Sequence, residues 1–271
     1  MVVVWSKETE SGSATRVPGS GSATRVPGSA AAEGSAALLG EVIAAAGPPL
    51  AALGVTEYVV NVRDEKVAGA RIDVQVTDLP VLAVVRAGVP VASAAACARV
   101  IDALAALGPV TAWSVTASQP LPVERPTESG PAVTTGESGE LPAVATRCDG
   151  MANIAFLRRP ERIPREQWLG TWLEDHTQVA IDTQSTTGYT QHVVVRALTG
   201  DAPVIDGIVE EIFPIEAVRD LGVFFDSRGD DERMAANMRA MTASTARFLD
   251  DGTVDAVPTG RYVVGVPGRG V

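Results

Sequence analysis

Hydrophobic and polar positions alternate in two recognisable rhythms along this chain. Val2–Trp5 is a short apolar run. Residues 37–46, ALLGEVIAAA, carry apolar side chains at helical spacing and meet Gly-Pro-Pro, a strong stop signal. Residues 57–62, 81–86 and 110–118 are rich in Val and read as strands. Residues 93–107 predict a helix with Ser93 as its N-cap and Gly108-Pro109 beyond its end. The order is β-α-β-β-α-β. The rhythm breaks over 119–146, which is dense in Pro, Gly, Ser and Glu and reads as a linker. It then resumes. Strands are predicted over 151–157, 189–196, 205–213 and 261–266. Helices are predicted over 164–175, 215–221 and 230–248, with Pro164 at a first-turn position that needs no N–H donor.

The repeated order predicts α+β architecture, with two ferredoxin-like βαββαβ domains at residues 1–118 and 147–271, joined by 119–146. Each four-stranded sheet would have one face without helices. Packing these bare faces together predicts an intrachain dimeric α+β barrel. Near the start, GSATRVPGS occurs twice without a gap over 12–29. Its Gly, Ser and Pro content predicts a loop that tolerated a duplication.

Composition narrows the function classes. Of 271 residues, 46% are hydrophobic but only 4% aromatic, so the predicted core is mainly Val, Ala, Leu and Ile. The net charge of −11, with no basic run, argues against nucleic acid or an anionic membrane as partner. The two cysteines, Cys97 and Cys148, form no CxxC and make no disulfide framework. No signal-like start and no membrane-spanning run is apparent, so a cytoplasmic protein is expected.

Against this aromatic-poor background, WLGTWLEDHTQVAIDTQSTTGYTQH (168–192) holds both histidines and two of the four tryptophans. Trp168, Leu169, Trp172, Leu173 and His176 fall on one helical stripe. In the next strand Tyr189 and Gln191 share one face and His192 the other. In VEEIF, Glu210 and Glu211 fall on opposite faces of an apolar strand. A carboxylate among apolar neighbours needs a partner or is pushed toward its neutral form, which is a mark of acid/base or anchoring groups. Each residue also has a plain reading: the tryptophans as helix-to-sheet core, His176 as a hydrogen-bonded core residue or cap, His192 as a polar strand residue, Glu211 as structural. No zinc spacing, phosphate loop, dinucleotide motif or nucleophile elbow is present, so neither a metal nor a cofactor is called for.

Together, FLRRPERIPREQWLGTWLEDHT, GYTQHVVVR and IDGIVEEIFP resemble the EthD family of dimeric α+β barrel proteins, through Trp168, Trp172, His176, Tyr189, Gln191, Glu210 and Phe213. The resemblance covers the C-terminal half, and the N-terminal half looks like a degenerate copy lacking the Trp and His. The sequence HTQVA after the histidine departs from the family pattern. The resemblance implies a site for a small hydrophobic or aromatic molecule and cofactor-free acid/base chemistry in xenobiotic or polyketide-type metabolism. On that reading His176 and Glu210 are the catalytic pair, and Trp168, Trp172, Tyr189 and Gln191 hold the ligand. The alternative is a non-catalytic binding or accessory protein for a partner oxygenase. A homodimer is left open.

Overall fold

The computed structural model describes residues 1–7, 14–15, 24–25, 34–126 and 143–266. Nine strands make its main sheet: β1 (Val2–Trp5), β2 (Glu57–Val62), β3 (Val81–Ala87), β4 (Val110–Leu121), β5 (Val144–Arg147), β6 (Met151–Leu157), β7 (Gly188–Ala197), β8 (Gly207–Phe213) and β9 (Asp255–Gly265). Their order is β2-β3-β1-β4-β7-β8-β6-β9, with β9 returning to β2 and β5 attached beside β9. The result is one closed, eight-stranded antiparallel barrel.

This overturns the expectation of two ferredoxin-like domains pairing as an intrachain dimeric α+β barrel. The dimeric-barrel and EthD-domain description drawn from the resemblance falls with it. The prediction considered only bare sheet faces, which were to stack. The structure instead satisfies bare sheet edges. Unpaired strand N–H and C=O groups are costly to leave buried. Here β4 pairs with β7 from Trp113↔Ala197 to Leu121↔Tyr189. At the other seam β9 pairs with β2 from Gly260↔Val62 to Gly265↔Glu57. Both seams need long strands, and β4, β7 and β9 run 12, 10 and 11 residues.

Helices cover parts of the outer surface. The first is α1 (Ser35–Ala52), which continues through Pro48 and Pro49 instead of stopping before them. It is the one helix among the described residues long and apolar enough to cross a membrane. Its Leu39, Val42, Ile43, Ala46 and Leu50 are packed with Tyr58, Val60 and Val85 of the barrel. Next, α2 (Ala94–Ala105) starts at Ser93, whose hydroxyl accepts from the Ala96 N–H as predicted. The second half carries α3 (Arg165–Gly170), a π-helical turn over Thr171–His176, α4 (Thr177–Thr183), α5 (Leu221–Phe224) and α6 (Asp231–Thr245). The duplicated GSATRVPGS loop and the core of the predicted linker fall mostly outside the described residues. Within the loop, Ala14–Thr15 pairs antiparallel with Thr24–Arg25, so one copy of the repeat meets the other.

Strand alternation divides the side chains into an interior and an exterior set. Val3, Trp5, Val84, Trp113, Ile154, Phe156, Val194, Ile208 and Val257 form the apolar part of the interior. On the same faces of β2, β3, β7, β8 and β9 stand Asn61, Arg86, His192, Glu210 and Arg261. The barrel is therefore apolar toward one end and charged toward the other.

Candidate functional site

The two adjacent glutamates of β8 have opposite environments. Glu210 points into the barrel and is 2% exposed. Its Oε2 lies 3.1 Å from an Arg86 guanidinium nitrogen, and its Oε1 lies 3.2 Å from Arg261 Nε. The Asn61 amide donates to Oε1 at 3.1 Å. Burial raises the Glu210 pKa, but Arg86 and then Arg261 outweigh it and hold the carboxyl below its ordinary value. His192 completes the cluster. Its Nδ1 lies 3.2 Å from the Ile208 carbonyl, and its Nε2 is 2.8 Å from Arg86. A carbonyl and a guanidinium on the two ring nitrogens require Nδ1 to donate and Nε2 to accept, so this imidazole is neutral. Burial, then Arg86, lower its pKa to about 4. Arg261 also donates to Cys148 Sγ at 2.9 Å.

Glu211 points the other way, under the helices of the second half. It is 8% exposed and forms no ion pair among the described residues. Its Oε1 is buried without a hydrogen-bond partner. Burial pushes its pKa up to about 8. In register beside it stand Asn153 on β6 and Tyr189 on β7. Asn153 Oδ1 is likewise buried and unpaired. Tyr189 is raised above its ordinary range by burial and then by Glu211, so its phenol keeps its proton. The α4–β7 connection ends at Thr187, whose N–H bonds the Ile212 carbonyl next to Glu211. That connection brings three more unpaired buried oxygens, Gln184 Oε1, Ser185 Oγ and Thr186 Oγ1.

The predicted ligand-binding residues gather on this outer face. Trp168 and Trp172 are fully buried, with ring centroids 5.0 Å apart. They pack with Tyr189, Val209, Phe248 and Leu249. Gly207 makes their approach feasible, because a Cβ there would come within 2.5 Å of the Trp172 ring. Gln191 donates to Thr177 Oγ1 at 2.7 Å and to the Leu173 carbonyl at 3.1 Å. It thereby ties β7 to the π-helical turn, a kind of helix irregularity frequent at functional sites. His176 ends that turn, with Nδ1 2.9 Å from Ser244 Oγ on α6 and its ring 4.6 Å from Phe248. Burial, then Arg247, lower its pKa to about 4.

The predicted pair of His176 and Glu210 is not brought together. His176 lies between helices outside the barrel, and Glu210 lies inside it, across the sheet. The carboxylate on the same side as Trp172, Tyr189 and Gln191 is Glu211. Sequence reasoning passed over Arg86, Asn61, Arg261 and Asn153. Their one signal is a polar residue inside an otherwise apolar strand, as in YVVNV, VLAVVR and MANIAFL. Among the described residues no three His, Cys, Asp or Glu side chains cluster as metal ligands would. No family model matches this chain, and no curated protein matches it.

Proposed function

We propose that this protein binds a small apolar or aromatic molecule between the outer face of β6–β8 and the helices above it, in the cytoplasm. On this reading Glu211 is the acid/base group, working without a cofactor. The observation that carries the proposal is a buried carboxyl with an unpaired oxygen and no counter-charge among the described residues. A merely structural carboxyl at this depth would be expected to have a partner, as Glu210 has. Apolar walls from Trp172 and Val209, with polar groups from Asn153, Tyr189 and Glu211, match the usual make-up of a small-molecule site.

The chemistry that suits these groups is proton transfer at a carbon next to a carbonyl. Glu211 in its carboxylate form takes the proton from carbon, and the electron pair moves into the carbonyl to give an enolate. The neutral Tyr189 hydroxyl or the Asn153 amide donates to the oxygen on which charge develops. Return of the proton to carbon completes an exchange or an isomerisation. With Glu211 titrating at about 8, the base form grows through the neutral range, so the rate rises with pH and levels off above that value.

The test is solvent-deuterium incorporation into a panel of aryl alkyl ketones, 4-phenyl-2-butanone among them, followed by NMR. The expected result is exchange faster than in buffer, reduced about 10²–10⁴-fold in Glu211→Gln. A wild-type rate equal to buffer across the panel, or an unaffected Glu211→Gln rate, would overturn the acid/base reading. His176 is held by Ser244 and Phe248 in a packing role, and this favours a second reading, in which the same region holds its ligand for a partner oxygenase without converting it. Retention of an unchanged ligand at one per chain would distinguish that case.

A further inference from the structure

A separate cavity of about 280 Å³ lies in the first half of the chain, between the sheet and α2. Its origin is visible in the sequence. Gly88, Ala92, Ala96 and Cys97 supply little side-chain volume where α2 approaches β3. The gap is far larger than the water-sized voids of ordinary interiors and approaches the volume of small-ligand pockets, roughly 300–1,000 Å³. Apolar wall comes from Leu50, Val85, Val100 and Ile101. Among the described residues Arg196 is the one charged side chain on that wall. It is exposed, which places it at the mouth, and it has no ion pair or hydrogen bond among the described residues. Most arginines of this structure do have such partners, as the pairs on Glu57, Asp64, Asp73, Asp206, Glu210 and Asp255 show.

Backbone geometry also singles out this spot. The β4–β7 ladder runs Ser114↔Arg196 and then Val115↔Val194, so Val195 is an inserted residue. Such a bulge re-aims the side chains beside it. Here it sets Arg196 opposite Ser114, which lines the same cavity. The wall is thus apolar within and ends in a guanidinium unpaired among the described residues.

We propose that this cavity is a binding site for a small amphipathic monocarboxylate. The tail lies against Val85, Val100 and Ile101, and the carboxylate takes a forked pair of hydrogen bonds from Arg196. The site is independent of Glu211, so either proposal can fail without the other.

The probes are sodium octanoate and octan-1-ol, measured by isothermal titration calorimetry. Wild type is expected to bind one octanoate per chain and to bind octan-1-ol more weakly. Arg196→Gln is expected to weaken octanoate roughly tenfold or more, the usual contribution of a hydrogen bond to a charged group, and to leave octan-1-ol unchanged. Because Arg196 is exposed, the variant should fold normally, which circular dichroism checks. Ala96→Phe, which fills the cavity, is expected to abolish binding of both probes, and Glu211→Gln to leave it intact. Absence of saturable octanoate binding would overturn the proposal. Equal affinity of wild type and Arg196→Gln for octanoate, or of wild type for the two probes, would overturn the carboxylate assignment.

Discussion

Replacing Glu210 by Gln removes one negative charge and almost no volume, while two guanidinium groups stay where they are. Glu210 is 2% exposed, Arg261 8% and Arg86 18%. Breaking a buried ion pair by removing one partner costs about 3–5 kcal/mol, chiefly because the remaining charge is left uncompensated. Water reaches Arg86 to some degree, so the lower end, about 3 kcal/mol, is the better expectation for Glu210→Gln. With a urea m-value of about 3 kcal/mol/M for a large domain, the midpoint falls by roughly 1 M. A double-mutant cycle separates the pair from the rest. Adding Arg261→Met removes the stranded charge, so the double variant should be more stable than the sum of the two single effects by at least about 1.5 kcal/mol. The sign with pH follows from the depressed pKa of Glu210. Its stabilisation is present above the unfolded value near 4.5 and is lost as pH falls through the lower folded value. Urea unfolding at neutral pH and in a series descending below pH 4.5, with near-ultraviolet circular dichroism to check packing, measures all three. A loss below about 1 kcal/mol in Glu210→Gln, or strictly additive single effects, would refute the view that Glu210 is the shared counter-ion of both arginines.

Three further outcomes follow from the same structure. Glu211 has a folded pKa of about 8, above its unfolded value, so stability declines as pH rises from about 4.5 to 8; Glu211→Gln should flatten that slope in a pH series of unfolding curves. Both histidines titrate near 4 in the fold, so their imidazole NMR signals should stay in the neutral form from pH 8 to 5, and a midpoint near 6.5 for either would contradict its burial. Gly207→Ala drives a methyl into the Trp172 ring and should cost about 1–3 kcal/mol, with a change in tryptophan fluorescence; an unchanged midpoint would show that the indole can move aside.

The local rhythm of the chain was a good guide to its elements. Val2–Trp5, Glu57–Val62 and Met151–Leu157 are strands at the predicted boundaries, and Ser93 caps α2. Apolar alternation and capping chemistry are local, so a single sequence can display them. Closure is not local. The choice between stacked faces and joined edges depends on strands far apart in sequence finding hydrogen-bond partners, and β4–β7 and β9–β2 do so. The end of α1 was also misread, because packing of Leu50 in the core outweighs the Gly-Pro-Pro stop. For the site, VEEIF correctly signalled two carboxylates with different surroundings. It could not show which one had arginines, since Arg86 and Arg261 come from β3 and β9. The pattern alone therefore favours Glu210, the ion-paired member, and reads Glu211 as structural.

The position of β9 has a consequence for biosynthesis. This strand is the last of the barrel to emerge from a ribosome, and it alone joins β2 to β6. Until it arrives, β2 presents Val59, Val60 and Val62 on an open strand edge to whatever else is in the cell. A nascent chain of this design spends most of its synthesis time as an unclosed sheet. Its yield should therefore depend on translation speed and chaperone supply more steeply than its final stability would suggest.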